Sequence, residues 1–199
     1  MACECSSHSA ATEKERKILR IALSLNAAMF VIGMTAGLWA QSTGLMADAL
    51  DMLADASTYG LGLLAVTRGA AFKRNSARWS GALLLILGLG IMAEVVRRAY
   101  AGSEPQPTVM MAFALLSLVV NVAVLRMLAP FRRGEVHLRA TWIFTRVDVI
   151  ANVGVFVAGV VILLTGQGWI DLVAGCLIGA YVVKEAVEIL KESSEAVLA

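Results

Sequence analysis

Charge is scarce in this chain. Only 16% of its 199 residues are Asp, Glu, Lys or Arg, against about 25% in a soluble globular domain. His and Cys are scarcer still, at two and three residues. Three cysteines build no disulfide framework. With Cys3 and Cys5 in a polar N-terminal segment, the odd count fits a reducing compartment on that side. Neither His falls in an apolar run, and no nucleophile–base pair or phosphate-cradling loop stands out, so the chain does not read as an enzyme. A net charge of +2 without a basic, aromatic-studded stripe excludes nucleic acid as a partner.

Apolar residues are abundant instead, at 59% of the chain. Charges are missing altogether from residues 21–47, 79–93, 105–125 and 149–170. Uncharged apolar runs of about 18 residues or more are candidate membrane helices. The first follows a basic segment (Lys14, Arg16, Lys17, Arg20) but runs on well past the roughly 7–15 residues of a cleavable signal core. It therefore reads as a retained helix.

The pattern predicts an all-α, polytopic membrane protein with six transmembrane helices, near 18–40, 44–67, 79–100, 108–129, 139–165 and 169–190. Pro105 and Pro107 mark the turn between the third and fourth. Fourteen of the 17 basic residues fall on one side of this arrangement, and only Arg97 and Arg98 on the other, with Arg146 inside a span. By the positive-inside rule both termini are cytoplasmic, as expected for a multi-pass protein of the cell (inner) membrane. The expected organisation is a polar cytoplasmic tail over 1–16, a six-helix domain over 17–193 and a short tail over 194–199 with no soluble domain.

The informative charges lie inside the membrane. The second helix carries Asp48, Asp51 and Asp55. Each carboxylate at the bilayer centre costs about 2.5–3.5 kcal/mol on translocon scales. At ~100° per residue, Asp51 and Asp55 lie within about 60° of Asp48, on one narrow face. Like charges so stacked repel unless a cation or bound protons offset them. The fifth helix offers Asp148, with Asn152 one turn on and Phe144 one turn before. Asp51 and Asp55 lie ~12–18 Å from the outer end of their helix and Asp148 ~14 Å from the inner end of its own, near the middle of a ~30 Å core. Carboxylates converging there describe a divalent-cation site.

Ala47-Asp48-Ala49-Leu50-Asp51-Met52-Leu53-Ala54-Asp55 resembles the second-helix motif of the cation diffusion facilitators, Ala-Asp-Ala-x-His/Asp-x-x-x-Asp. Glu94-Val-Val-Arg97-Arg98 followed by Pro105, and Trp169-Ile-Asp171-Leu-Val-Ala-Gly175-Cys-Leu-Ile-Gly179, are similar to the family's third and sixth helices. The resemblance covers roughly 17–193 and implies that Asp51 and Asp55 are metal ligands. Two departures stand out. The family's fifth helix carries His-x3-Asp; Asp148 matches the Asp, but Phe144 holds the His position. The family's cytoplasmic metal-binding domain is not expected here, which makes this a short member.

Asn152, within about 40° of Asp148, is the best candidate for a fourth ligand, and Asp48 is a candidate relay. Cys3, Cys5 and His8 could collect a soft metal at the cytoplasmic entrance. Asn26 and Asn121 read as packing hydrogen bonds, His137 as a solvated link residue, Arg146 as a snorkelling side chain, and Glu94 with Arg98 as a surface pair. Gly33-x3-Gly37 and Gly175-x3-Gly179 allow close helix packing, within one chain or across a homodimer.

The function that follows is efflux of a divalent cation from the cytoplasm by proton-coupled antiport. The partners are divalent cations, protons and the lipid bilayer. The metal (Zn, Co or Cd, or Mn/Fe for an oxygen-rich site) is substrate, not cofactor. The alternative is a non-transporting metal-binding membrane component or sensor of another efflux system.

Overall fold

A computed structural model describes the backbone of residues 2–40, 43–102 and 105–195, and the side chains within 12–35, 49–102 and 105–194. Six helices occupy nearly all of it: α1 (Ala2–Ala40), α2 (Thr43–Ala65), α3 (Ala70–Ala101), α4 (Pro107–Leu128), α5 (Val136–Thr165) and α6 (Trp169–Glu195). A 3-10 turn, Ala129–Phe131, follows α4. All three prolines sit where a helix interior would not tolerate them. Pro107 opens α4, Pro105 precedes it and Pro130 lies in the 3-10 turn. Gly166 ends α5 in the left-handed region (φ 70°), its N–H bonding back to the Ile162 carbonyl at 2.8 Å.

The helix count and order agree with the expectation, and α1, α3, α4 and α5 each carry a stretch long and apolar enough to cross a membrane. The differences fall at the end of the bundle that carries most of the basic residues, called here the basic end. There α3 starts at Ala70, so Lys73, Arg74 and Arg78 sit on its first turns and not in a loop. The α1 backbone likewise runs back to Ala2 through the polar segment. The side chains of Cys3, Cys5 and His8 lie outside the described residues. His137 is not solvated. It belongs to the first turn of α5 and is buried, because α5 begins at Val136 and packs that turn inward beneath a Lys73–Glu135 ion pair.

Neighbouring pairs organise the bundle. α1 packs on α2, α4 on α5, and α3 on α6; α5 then touches α2, α3 and α6, and α1 touches α4. Two apolar cores result. One joins α3, α5 and α6 through Leu84, Phe144, Val147, Val182 and Ile189. The other joins α1, α2 and α4 through Leu19, Tyr59, Val124 and Leu128, with Leu138 of α5.

Small residues set the α3–α6 spacing. A Cβ on Gly88 would stand 2.9 Å from Val182 and Val183 side chains and 3.1 Å from the Val183 backbone nitrogen. Cβ atoms on Gly175 and Gly179 would meet Val95 and Met92 at 2.7 Å. The Gly175-x3-Gly179 pair thus packs within the chain, on α3. A matched pair of substitutions tests this seam. Gly88→Ala should destabilise the purified protein by about 1–3 kcal/mol through overpacking. Gly90→Ala, where a Cβ meets nothing within 4 Å, should be neutral or stabilising by up to about 1 kcal/mol through helix propensity. Thermal unfolding in detergent reads both, and equal effects would refute the seam.

Candidate functional site

The face of α2 that carries Asp51 and Asp55 is turned to α5. Its register is held by a buried hydrogen bond of 2.9 Å between the Tyr59 and Thr145 hydroxyls. Tyr59 lies one turn beyond Asp55 on the same face. One turn nearer the opposite end of the bundle, Asp55 and Asp148 meet. Asp55 is fully buried and Asp148 is 6% exposed. The Asp148 carboxyl interacts with that of Asp55 and also with that of Asp51. One Asp148 oxygen, Oδ2, is buried without a hydrogen-bond partner among the described residues.

Above this pair lies a cavity of about 560 Å³. Asp51, Asp148 and Asn152 are its polar lining, and its walls are apolar side chains of α3, α4, α5 and α6 such as Leu84, Phe113, Val147 and Val182. On α4 the lining runs from Val109 to Ala114, close to that helix's start. The cavity therefore occupies the half of the bundle away from the basic end. Towards the basic end the way is filled by Phe144, Tyr59 and Leu138, all buried.

Of the sequence-derived candidates, Asp51, Asp148 and Asn152 thus share one cavity, with Asp55 against Asp148. The side chain of Asp48 lies outside the described residues. Phe144 packs among Leu84, Val147 and Val182 and offers no donor. In this conformation no three His, Cys, Asp or Glu side chains among the described residues could together hold a metal ion.

Other polar residues differ from expectation. Arg146 does not snorkel. It is ion-paired with Glu185 of α6, itself 3% exposed, and its guanidinium lies 5.0 Å from the centre of the Trp142 ring. Two opposite charges at matched depth in two spans are the sequence signal for this pair. Glu94 does bond Arg98 (2.8 Å), and the pair extends to Arg97 (2.7 Å) and, from Arg98, to Asp171 of α6 (2.9 Å). Asn26 and Asn121 make no hydrogen bond to another helix among the described residues. The Asn26 Nδ2 donates to the Ala22 carbonyl of its own helix (3.1 Å). Asn26 Oδ1 and both amide atoms of Asn121 are buried without a hydrogen-bond partner among the described residues.

Known proteins resemble the chain along most of its length. The chain is 27% identical to the metal cation efflux system protein CzcD of Cupriavidus metallidurans over 192 residues, 90% of this chain and 61% of that protein. It is 25% identical to the cadmium, cobalt and zinc/H(+)-K(+) antiporter of Bacillus subtilis, over 89% of this chain and 62% of that protein. It is 28% identical to the zinc transporter ZitB of Yersinia pestis, over 91% of this chain and 62% of that protein. The chain thus spans about three-fifths of the length of these relatives. The family model described as the cation efflux transmembrane domain matches residues 19–198. With that match added to the six-helix bundle and its buried α2–α5 carboxylates, the chain belongs to the cation efflux family, the cation diffusion facilitators.

Proposed function

We propose that the chain exports divalent cations of the zinc, cobalt and cadmium class from the cytoplasm across the cell membrane in exchange for protons. Asp51, Asp55 and Asp148 hold the ion and Asn152 adds a neutral oxygen. The observation that carries this reading is the meeting of α2 and α5 carboxylates in the bundle interior, at the floor of a cavity. Three ionised carboxylates in a low-dielectric layer repel one another and lose their hydration. Such a layer is stable when charge is supplied by a divalent ion or by bound protons. Exchange of one for the other is antiport.

The positive-inside rule puts the basic end in the cytoplasm. The cavity then opens on the outer half, and Phe144, Tyr59 and Leu138 close the inner half. Rocking of the α2–α5 layer against α3 and α6 exposes the site to the cytoplasm. In that state Cys3, Cys5 and His8 collect the ion and Asp48 relays it outward. Phe144 leaves an all-oxygen ligand set, so carboxylates alone carry the protons. A homodimer is compatible with this scheme.

The same Phe144, with no closed ligand group among the described residues in the present conformation, favours a second reading: a metal-binding component that does not transport. Proteoliposomes separate the two. A transporter releases protons when Zn²⁺ is added across a bilayer, and a binding component does not.

Asp51→Ala, Asp55→Ala and Asp148→Ala should each lower Zn²⁺-driven proton flux by more than the roughly 10–100-fold that loss of an outer-shell partner costs. Unchanged flux in all three overturns the site. Phe144→His should raise Zn²⁺ affinity relative to Mn²⁺ by about tenfold, since imidazole suits zinc and oxygen sets suit manganese. Calorimetric titration of both ions reads the ratio, and an unchanged ratio places Phe144 outside the ligand shell.

A further inference from the structure

The buried amides of α1 and α4 have no structural role that the packing explains. Asn121 is fully buried, and neither its Nδ2 nor its Oδ1 has a hydrogen-bond partner among the described residues. Asn26 is fully buried too, and its Oδ1 is left over after Nδ2 bonds within its own helix. An unsatisfied buried polar group costs about 1–3 kcal/mol. A bilayer supplies no water to relieve it.

Three separate contacts bring these amides to the level of the carboxylates. Gly159 of α5 lies against Met111 of α4. Stepping about ten residues along each antiparallel helix puts Asn121 level with residue 149, beside Asp148. Gly62 of α2 lies against Leu19 of α1. About seven residues along each, Asn26 is level with Asp55. The Tyr59–Thr145 bond then sets α2 against α5 so that Asp55 and Asp148 coincide. Asn26, Asp55, Asp148 and Asn121 therefore form one layer, each from a different helix.

Asn121 also points the right way. Met110 and Ala114 of α4 line the cavity over Asp51 and Asp148. Residue 121 is eleven and seven positions further on, within about 20° of both around the helix. It continues the cavity's α4 wall past the cavity floor, towards the basic end.

We propose that Asn121 and Asn26 supply neutral oxygen ligands to the transported cation on the closed side of the Asp55–Asp148 pair, a second position on its path. This rests on the transport reading above. Two carboxylates and two amide oxygens give four hard donors with a total charge of −2, which balances a divalent ion without an added proton. Amides suit a transit position because they bind without the full Coulomb attraction of a third carboxylate, so the ion can leave. The unsatisfied amide groups of this layer are thereby available to the ion.

The test uses the full chain in detergent with Co²⁺ alone as probe, read by calorimetric titration and by the visible absorption spectrum of the bound ion. Asn121→Leu removes the unsatisfied amide at similar volume. It should leave thermal stability equal or higher while lowering Co²⁺ affinity about 10–100-fold and shifting the spectrum. Asn26→Leu should do the same more weakly. Asn121→Asp, a second variant that keeps the shape, should retain binding but release more protons per Co²⁺. Wild-type affinity and spectrum in Asn121→Leu and Asn26→Leu, while Asp148→Asn abolishes binding, would overturn this inference and leave the transport site standing. Should Asn121→Leu not fold, an unchanged affinity and proton release in Asn121→Asp overturns it equally. Wild-type Co²⁺ binding in both Asp55→Asn and Asp148→Asn would overturn the site reading itself and the amide layer with it.

Discussion

Carboxyl groups carried into a bilayer must be given a cation, a proton or hydrogen-bond donors, and they must be held where these can reach them. In this protein that constraint is concentrated at the contact of Asp55 on α2 with Asp148 on α5. The Tyr59–Thr145 bond fixes the register of the two helices on one side of the contact. Apolar side chains around Phe144 seal the space behind it, and the cavity over Asp51 and Asn152 leaves space in front. The remaining helices serve as walls. α3 and α6 form a closely packed pair against α5, and α1 and α4 cover the other flank.

A different solution is used for the charges at the α5–α6 and α3–α6 contacts. Arg146 and Glu185 neutralise each other between α5 and α6, with Trp142 stacked on the guanidinium. Glu94, Arg97, Arg98 and Asp171 form a network where α3 meets α6 at the opposite end. In those clusters acids and bases balance, so the charges are settled within the protein. Among the described residues the α2–α5 layer has acids and amides and no base. This imbalance sets it apart from the ion pairs, which are also more exposed: Arg97 and Glu94 keep 64% and 41% of their side-chain surface, whereas Asp55 is fully buried.

Much of the fold was legible because long uncharged runs and basic links are features of single segments. The six helices follow from hydropathy and from prolines that lie only at helix ends. The acidic stripe of α2 follows from a 3.6-residue period, and the match in depth with Asp148 from counting residues along two helices. What could not be read depends on register and rotation between helices. His137 sits in a basic link by sequence, and only the inward packing of the first turn of α5 buries it. Arg146 is near enough to a helix end to reach the surface, and only the rotation of α6 sets Glu185 opposite it. For Asn26 and Asn121, a polar residue in a span carries no sign in the sequence of whether it has a partner side chain.

The glycines between α3 and α6 also bear on how this bundle can change over generations. At Gly88, Gly175 and Gly179 even a methyl group would collide with the facing helix. Sequence drift along that seam is therefore confined to exchanges that add no bulk. The lipid-facing sides of the same helices, where Ile86, Leu89 and Leu177 are exposed, can trade one apolar residue for another at little penalty. Substitutions should accumulate on the outside of the α3–α6 pair long before they appear between its members, so the pair's geometry can persist between sequences that have otherwise diverged widely.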